Sequence, residues 1–95
     1  MTNISGNTSV KISRQFRFQW EEAQQGFVLL YPEGMIQLSP SAGEILSRCK
    51  QQTTVAGIIT DLQTTFAEAD PDELAADVME FIHEANDQGW LDINV

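Results

Sequence analysis

Residues 27–46 read Phe27-Val28-Leu29-Leu30-Tyr31-Pro32-Glu33-Gly34-Met35-Ile36-Gln37-Leu38-Ser39-Pro40-Ser41-Ala42-Gly43-Glu44-Ile45-Leu46, and this stretch decides the fold. The five consecutive apolar residues Phe27 to Tyr31 are too few for a helix between turn signals and suit the central strand of a small sheet. Pro32 withdraws a backbone donor and Gly34 supplies the turn. Met35 to Leu38 then forms a short strand with Ile36 and Leu38 on one face. Ser39 followed by Pro40 is a helix N-cap with proline at the first helical position. Ala42, Ile45, Leu46 and Cys49 recur at helical spacing and predict the buried stripe of that helix. Strand, turn, strand and helix follow one another with hardly a linker residue.

Upstream, Phe16-Arg17-Phe18-Gln19-Trp20 alternates apolar and polar side chains, the period of a half-buried strand. Glu21 to Gly26 is a polar connection, and connections this short imply an antiparallel meander. Downstream, Thr53 or Thr54 caps a second helix with apolar positions Val55, Ile58, Ile59, Leu62 and Phe66. Asp70-Pro71 repeats the cap-plus-proline signal, with Asp72 and Glu73 against the positive helix end. A third helix carries Leu74, Val78, Phe81, Ile82 and Ala85 on its apolar side and stops at Gly89, a left-handed closing residue. The reading is α+β and winged-helix-like: a three-stranded antiparallel meander at about 16–21, 26–31 and 35–38, then a three-helix bundle at about 40–51, 54–66 and 71–88. The polar residues 1–13 read as a disordered tail, and residues 14–95 as a single domain.

Ninety-five residues support one modest core and leave little room for an enclosed cofactor. No apolar run spans a membrane, and the polar start is not a signal peptide. The single Cys49 cannot form an internal disulfide, which fits a reducing cytoplasm. Charge is segregated. The first fifty residues hold all five cations against four acids, and residues 51–95 hold ten acids and no Lys or Arg. The halves therefore carry about +1 and −10, together the net −9. Such a field repels nucleic acid and anionic lipid, attracts cationic partners, and also serves plain solubility.

Reactive constellations are missing from the pattern, so no catalytic residue, metal ligand or cofactor is expected and the chain reads as a non-enzyme. The single histidine, His83, sits among Glu80, Glu84 and Asp87, and reads as a surface residue or groove liner rather than a metal ligand. Cys49 has Arg48 and Lys50 as neighbours, which favours a thiolate, but it falls on an apolar stripe and reads as an inert buried thiol. If sheet order follows chain order, Phe16–Glu21 and Met35–Leu38 are the two edges. The second of these is uncharged, which leaves it open to an added peptide strand. The alternative is that Met35 and Val78 are simply core and the edge is covered by the N-terminal tail.

The segments Val28-Leu29-Leu30-Tyr31-Pro32-Glu33-Gly34, Leu38-Ser39-Pro40-Ser41-Ala42 with Ile45-Leu46, Asp77-Val78 with Phe81-Ile82, and Gly89-Trp90-Leu91 jointly resemble the PqqD family. The likeness covers roughly Phe16 to Leu91. Ser39 stands where relatives often carry Asn, and both residues cap helices. The resemblance implies a stand-alone recognition domain for ribosomally made precursor peptides in pyrroloquinoline quinone (PQQ) biosynthesis. Its family binds the precursor PqqA as an added strand in the cleft between the third strand and the third helix. It then presents that peptide to the radical-SAM enzyme PqqE. Carried over by position, Met35, Ile36, Gln37 and Leu38 supply the edge, Val78, Phe81, Ile82 and Ala85 the opposing apolar wall, and Asp77, Glu80 and Glu84 its rim. One rival is a winged-helix DNA-binding regulator, disfavoured because the third helix has no Lys or Arg. Another is a leader-peptide-binding domain of a different modification pathway. Exposed edges of this kind also leave a homodimer open.

Overall fold

The computed structural model describes residues 3–94. In chain order the elements are β1 (Ser9–Ile12), β2 (Arg17–Glu21), β3 (Gly26–Tyr31), β4 (Gly34–Gln37), α1 (Pro40–Ser47), β5 (Thr53–Thr54), α2 (Val55–Thr65), α3 (Pro71–Asp87) and β6 (Leu91–Asn94). They form two antiparallel sheets, ordered β2-β3-β4 and β5-β1-β6. The α+β class and the meander followed by three helices are as expected from the sequence.

In the meander, cross-strand partners share a face, so Phe18, Trp20, Phe27, Leu29, Ile36 and Leu38 all turn toward the helices. Phe18 stacks on Phe27 at 4.7 Å, and Trp20 meets Phe27 edge-on at 5.1 Å. Leu29 is wholly buried and joins Leu46, Ile58, Val78 and Ile82 in the core. Helix α1 lies against β3 at Gly43, where a Cβ would fall 2.8 Å from Cδ2 of Phe27. Helices α2 and α3 pack on one another, and Arg48 ties α1 to α2 by ion pairs with Glu44 and Asp61.

The capping chemistry determines where each helix begins. Ser39 Oγ accepts from the Ala42 amide at 3.2 Å, and Thr54 Oγ1 from the Gly57 amide at 3.0 Å. Asp70 Oδ1 accepts from the amides of Asp72 and Glu73. At the end of α3, Gly89 takes φ +78°, and the amides of Gly89 and Trp90 donate to the carbonyls of Asn86 and Ala85, both at 3.0 Å. This pair of bonds is the Schellman closure that glycine permits.

Three expectations need correction. Residues 1–13 are not a tail throughout, because Ser9–Ile12 is β1, the central strand of the second sheet, with Val10 and Ile12 in the core. Met1 and Thr2 lie outside the described residues. The three-strand count also missed β5 and β6, which have length only because β1 pairs with them. Helix α1 stops at Ser47 rather than near residue 51. The amides of Arg48 and Cys49 tighten onto Ile45 and Leu46, and the Cys49 carbonyl is taken by the Ile12 amide at 2.9 Å. The remaining boundaries agree within a residue.

The N-terminal segment completes backbone groups that the helices leave open. The Thr8 and Gly6 carbonyls accept from Val55 and Ala56, the first two amides of α2. The Ser13 amide donates to the Trp90 carbonyl at 2.8 Å, just past the α3 closure. Burying Val10 and Ile12 is worth about 3–6 kcal/mol together, against a typical domain stability of about 5–15 kcal/mol. Removal of residues 1–13 is therefore expected to cost most of the stability, measured as a collapse of the urea midpoint. Gly43→Ala gains up to about 1 kcal/mol of helix propensity but overpacks Phe27 by about 1–3 kcal/mol. Thermal unfolding should show a net loss.

Candidate functional site at the β4 edge

Strand β4 pairs with β3 and has no neighbour on its other side among the described residues. Its polarity follows from one bond. The Leu38 amide donates to the Phe27 carbonyl at 3.1 Å, so the pair Phe27–Leu38 is of the hydrogen-bonded kind. Antiparallel pairs alternate, which makes Leu29–Ile36 bonded and Val28–Gln37 and Leu30–Met35 non-bonded. The amides and carbonyls of Met35 and Gln37 therefore point away from the sheet, at an open edge. Met35 is 41% exposed and Gln37 is exposed, while Ile36 and Leu38 are half-buried against the core.

The expected wall on α3 divides. Val78, Ile82 and Ala85 are 2%, 0% and 0% exposed and belong to the core, where they hold the helix in place. Phe81 is half-buried and reaches Trp90 at 6.4 Å between ring centroids. Asp77, Glu80 and Glu84 are exposed, and with Glu73 and Asp87 they fall on one stripe of the helix. Among the described residues no cation pairs with that stripe. Beside it, Val78 and Asp77 help to line an apolar depression of about 390 Å³ with Ile45, Leu62, Phe66 and Leu74. That depression lies among the three helices, and Phe66 is an exposed member of it. Sequence periodicity placed Phe66 in the core because it follows the α2 stripe, but it sits at the C-cap, where the helix ends. Trp20 is likewise more exposed than strand alternation suggests. It lines a cavity of about 460 Å³ with Phe27, Gln37, Leu38 and Pro40, at the end of β4.

His83 is exposed on α3, and no group of three or more His, Cys, Asp or Glu positioned to hold a metal occurs among the described residues. Cys49 is fully buried. Burial pushes its thiol from the ordinary 9.0 up to about 12, and its Sγ donates to the Ile45 carbonyl at 3.5 Å. No helix among the described residues is long and apolar enough to cross a membrane.

The result is a small α+β domain with an open, uncharged strand edge. Comparison with known proteins identifies its family. The family model described as Coenzyme PQQ synthesis protein D (PqqD) matches residues 26–91. A protein of Azotobacter vinelandii named PqqA binding protein is 39% identical over 94 residues, covering 99% of this chain and all of that relative. A protein of the same name from Stutzerimonas stutzeri is 42% identical, covering 98% of this chain and 99% of the relative. The chain also superposes on a solution structure of the PqqD part of Methylobacterium extorquens PqqCD, described as a functional, stand-alone RiPP recognition element. That match has a TM-score of 0.76, 27% identity and 96% coverage of both chains. The chain belongs to the PqqD family.

The thiol yields a direct test. Its folded pKa lies above the free value, so its contribution to stability is complete below about pH 9 and is lost as the pH climbs toward 12. Iodoacetamide should leave Cys49 unmodified in the native protein at pH 8 and alkylate it fully in denaturant, as read by mass spectrometry.

Proposed function

We propose that this chain is a non-catalytic peptide chaperone of PQQ biosynthesis that binds the precursor PqqA by adding it as a strand to β4 and presents it to the radical-SAM enzyme PqqE. The observation carrying this reading is the outward-facing main chain of Met35 and Gln37 at an uncovered edge. The relatives named PqqA binding protein support the peptide, and the M. extorquens recognition element supports a peptide-recognition role without catalysis. Asp77, Glu80 and Glu84 form the acidic flank of the site, and Phe81 is its apolar contact on α3.

Energetics divide the labour. Ordering a flexible peptide costs about 1–2 kcal/mol per fixed residue, and a main-chain hydrogen bond returns about 0.5–1.5 kcal/mol net. Pairing alone at best breaks even. It fixes register, and apolar side chains of the peptide entering the cavity at the end of β4 supply the surplus. The acidic stripe steers basic residues of the precursor and acts mainly on the association rate. Holding the peptide next to the enzyme raises its effective concentration there.

Gln37→Pro removes an amide that the sheet does not use, and proline is tolerated at an open edge. This variant should stay folded and bind PqqA about tenfold more weakly, the loss of roughly one charge-free hydrogen bond with its steric consequences. Ile36→Pro removes the amide that bonds Leu29 and should unfold the sheet. Calorimetry with PqqA checks affinity, and amide shifts confined to Met35–Leu38 and one face of α3 check the place. Unchanged affinity in folded Gln37→Pro would remove β4 from the mechanism.

A further inference from the structure

The free cations of this acidic chain converge on one place, away from β4. Arg48 is occupied by Glu44 and Asp61. The other four, Lys11, Arg14, Arg17 and Lys50, are all exposed and together line a cavity of about 300 Å³ with Phe16 and Phe18. None of the four makes an ion pair among the described residues. Asp92 is the acid that the ladder sets across from Lys11. The Lys50 ammonium lies 5.9 Å from the centre of the Phe18 ring. The cavity takes in Arg17 and Phe18 at the start of β2, and among the described residues no strand pairs with the outer side of β2. Since β3 spends Phe27, Leu29 and Tyr31 on β4, it spends Val28 and Leu30 on β2. The main chain of Phe18 and Trp20 is then left facing outward.

We propose that this cationic edge docks an extended acidic segment of a partner protein, one with an apolar residue between carboxylates, at a site separate from β4. Three features select that occupant. Of the four like charges only Lys11 has an acid, Asp92, across the ladder from it, and a carboxylate-bearing chain relieves the repulsion among the rest. The open backbone of β2 accepts an extended chain rather than a helix. Phe16 and Phe18 give an apolar side chain its seat. Nucleic acid is disfavoured by the net charge of −9. A second copy of this chain is disfavoured because its densest run of acid lies on the helix α3, which cannot pair with a strand edge. Strands β2 and β4 are opposite edges of one sheet, so both can be occupied at once.

The test is an amide-shift titration at low salt with a short synthetic peptide of alternating Glu and Val carrying a central Phe. Shifts are expected at Lys11–Arg14, Phe16–Trp20 and Lys50. Arg14→Glu/Lys50→Glu alters two exposed residues outside the strands, and should weaken binding by about tenfold or more. Should the double variant misfold, Arg14→Glu and Lys50→Glu singly carry the same test. Added salt should weaken the wild-type complex in parallel. Shifts centred on β4 or α3, no shifts, or undiminished binding by a folded reversed variant would overturn the proposal. So would equally tight binding of a single-stranded oligonucleotide at this cavity, or a salt-sensitive self-association abolished by the same reversal.

Discussion

A strand offers its backbone groups alternately to its two sides, and in this chain that alternation is locked at β3. The Phe27 carbonyl faces Leu38, so every second residue of β3 serves β4 and the others serve β2. Leu29, with no exposed surface, holds the phase. A slip of one residue would turn Ile36 and Leu38 to solvent and bring Met35 and Gln37 inward. The same slip would exchange which amides are free. The core therefore dictates the pattern of donors and acceptors at both open edges.

Charge is arranged on this scaffold in two separate bodies. The stripe Glu73, Asp77, Glu80, Glu84 and Asp87 sets like charges three and four residues apart, each neighbouring pair costing about 0.2–0.5 kcal/mol. Asp87 also lies at the negative end of the helix, where cations are preferred. Helix α3 tolerates this because Val78, Ile82 and Ala85 anchor it in the core. The cations without ion pairs gather instead around the cavity lined by Phe16 and Phe18. The acidic helix and the basic cluster are each short of compensating charge.

What was legible in the sequence was what local chemistry decides. Ser39, Thr54 and Asp70 cap the helices because their side chains bond amides two or three residues on. Gly89 closes α3 because its own φ requires it. Strand β1 was lost because Ser9-Val10-Lys11-Ile12 has the right alternation for only four residues, set among polar neighbours. Its stability comes from β5, β6 and the helix ends, all remote in sequence. The α3 wall was half-legible for a different reason. Helical spacing marks Ile82 and Ala85 as apolar-facing, but cannot tell a face closed in the core from one left open to a partner. The pairing phase of β4 also lies beyond the sequence, since it depends on which of two neighbouring amides meets β3.

The pairing of β1 with β6 has a mechanical consequence. Ser9 lies opposite Asn94 at the outer end of that ladder, with Val10–Ile93, Lys11–Asp92 and Ile12–Leu91 behind it. Tension applied between Ser9 and Asn94 thus meets the rungs one at a time, as a zipper does, rather than all together in shear.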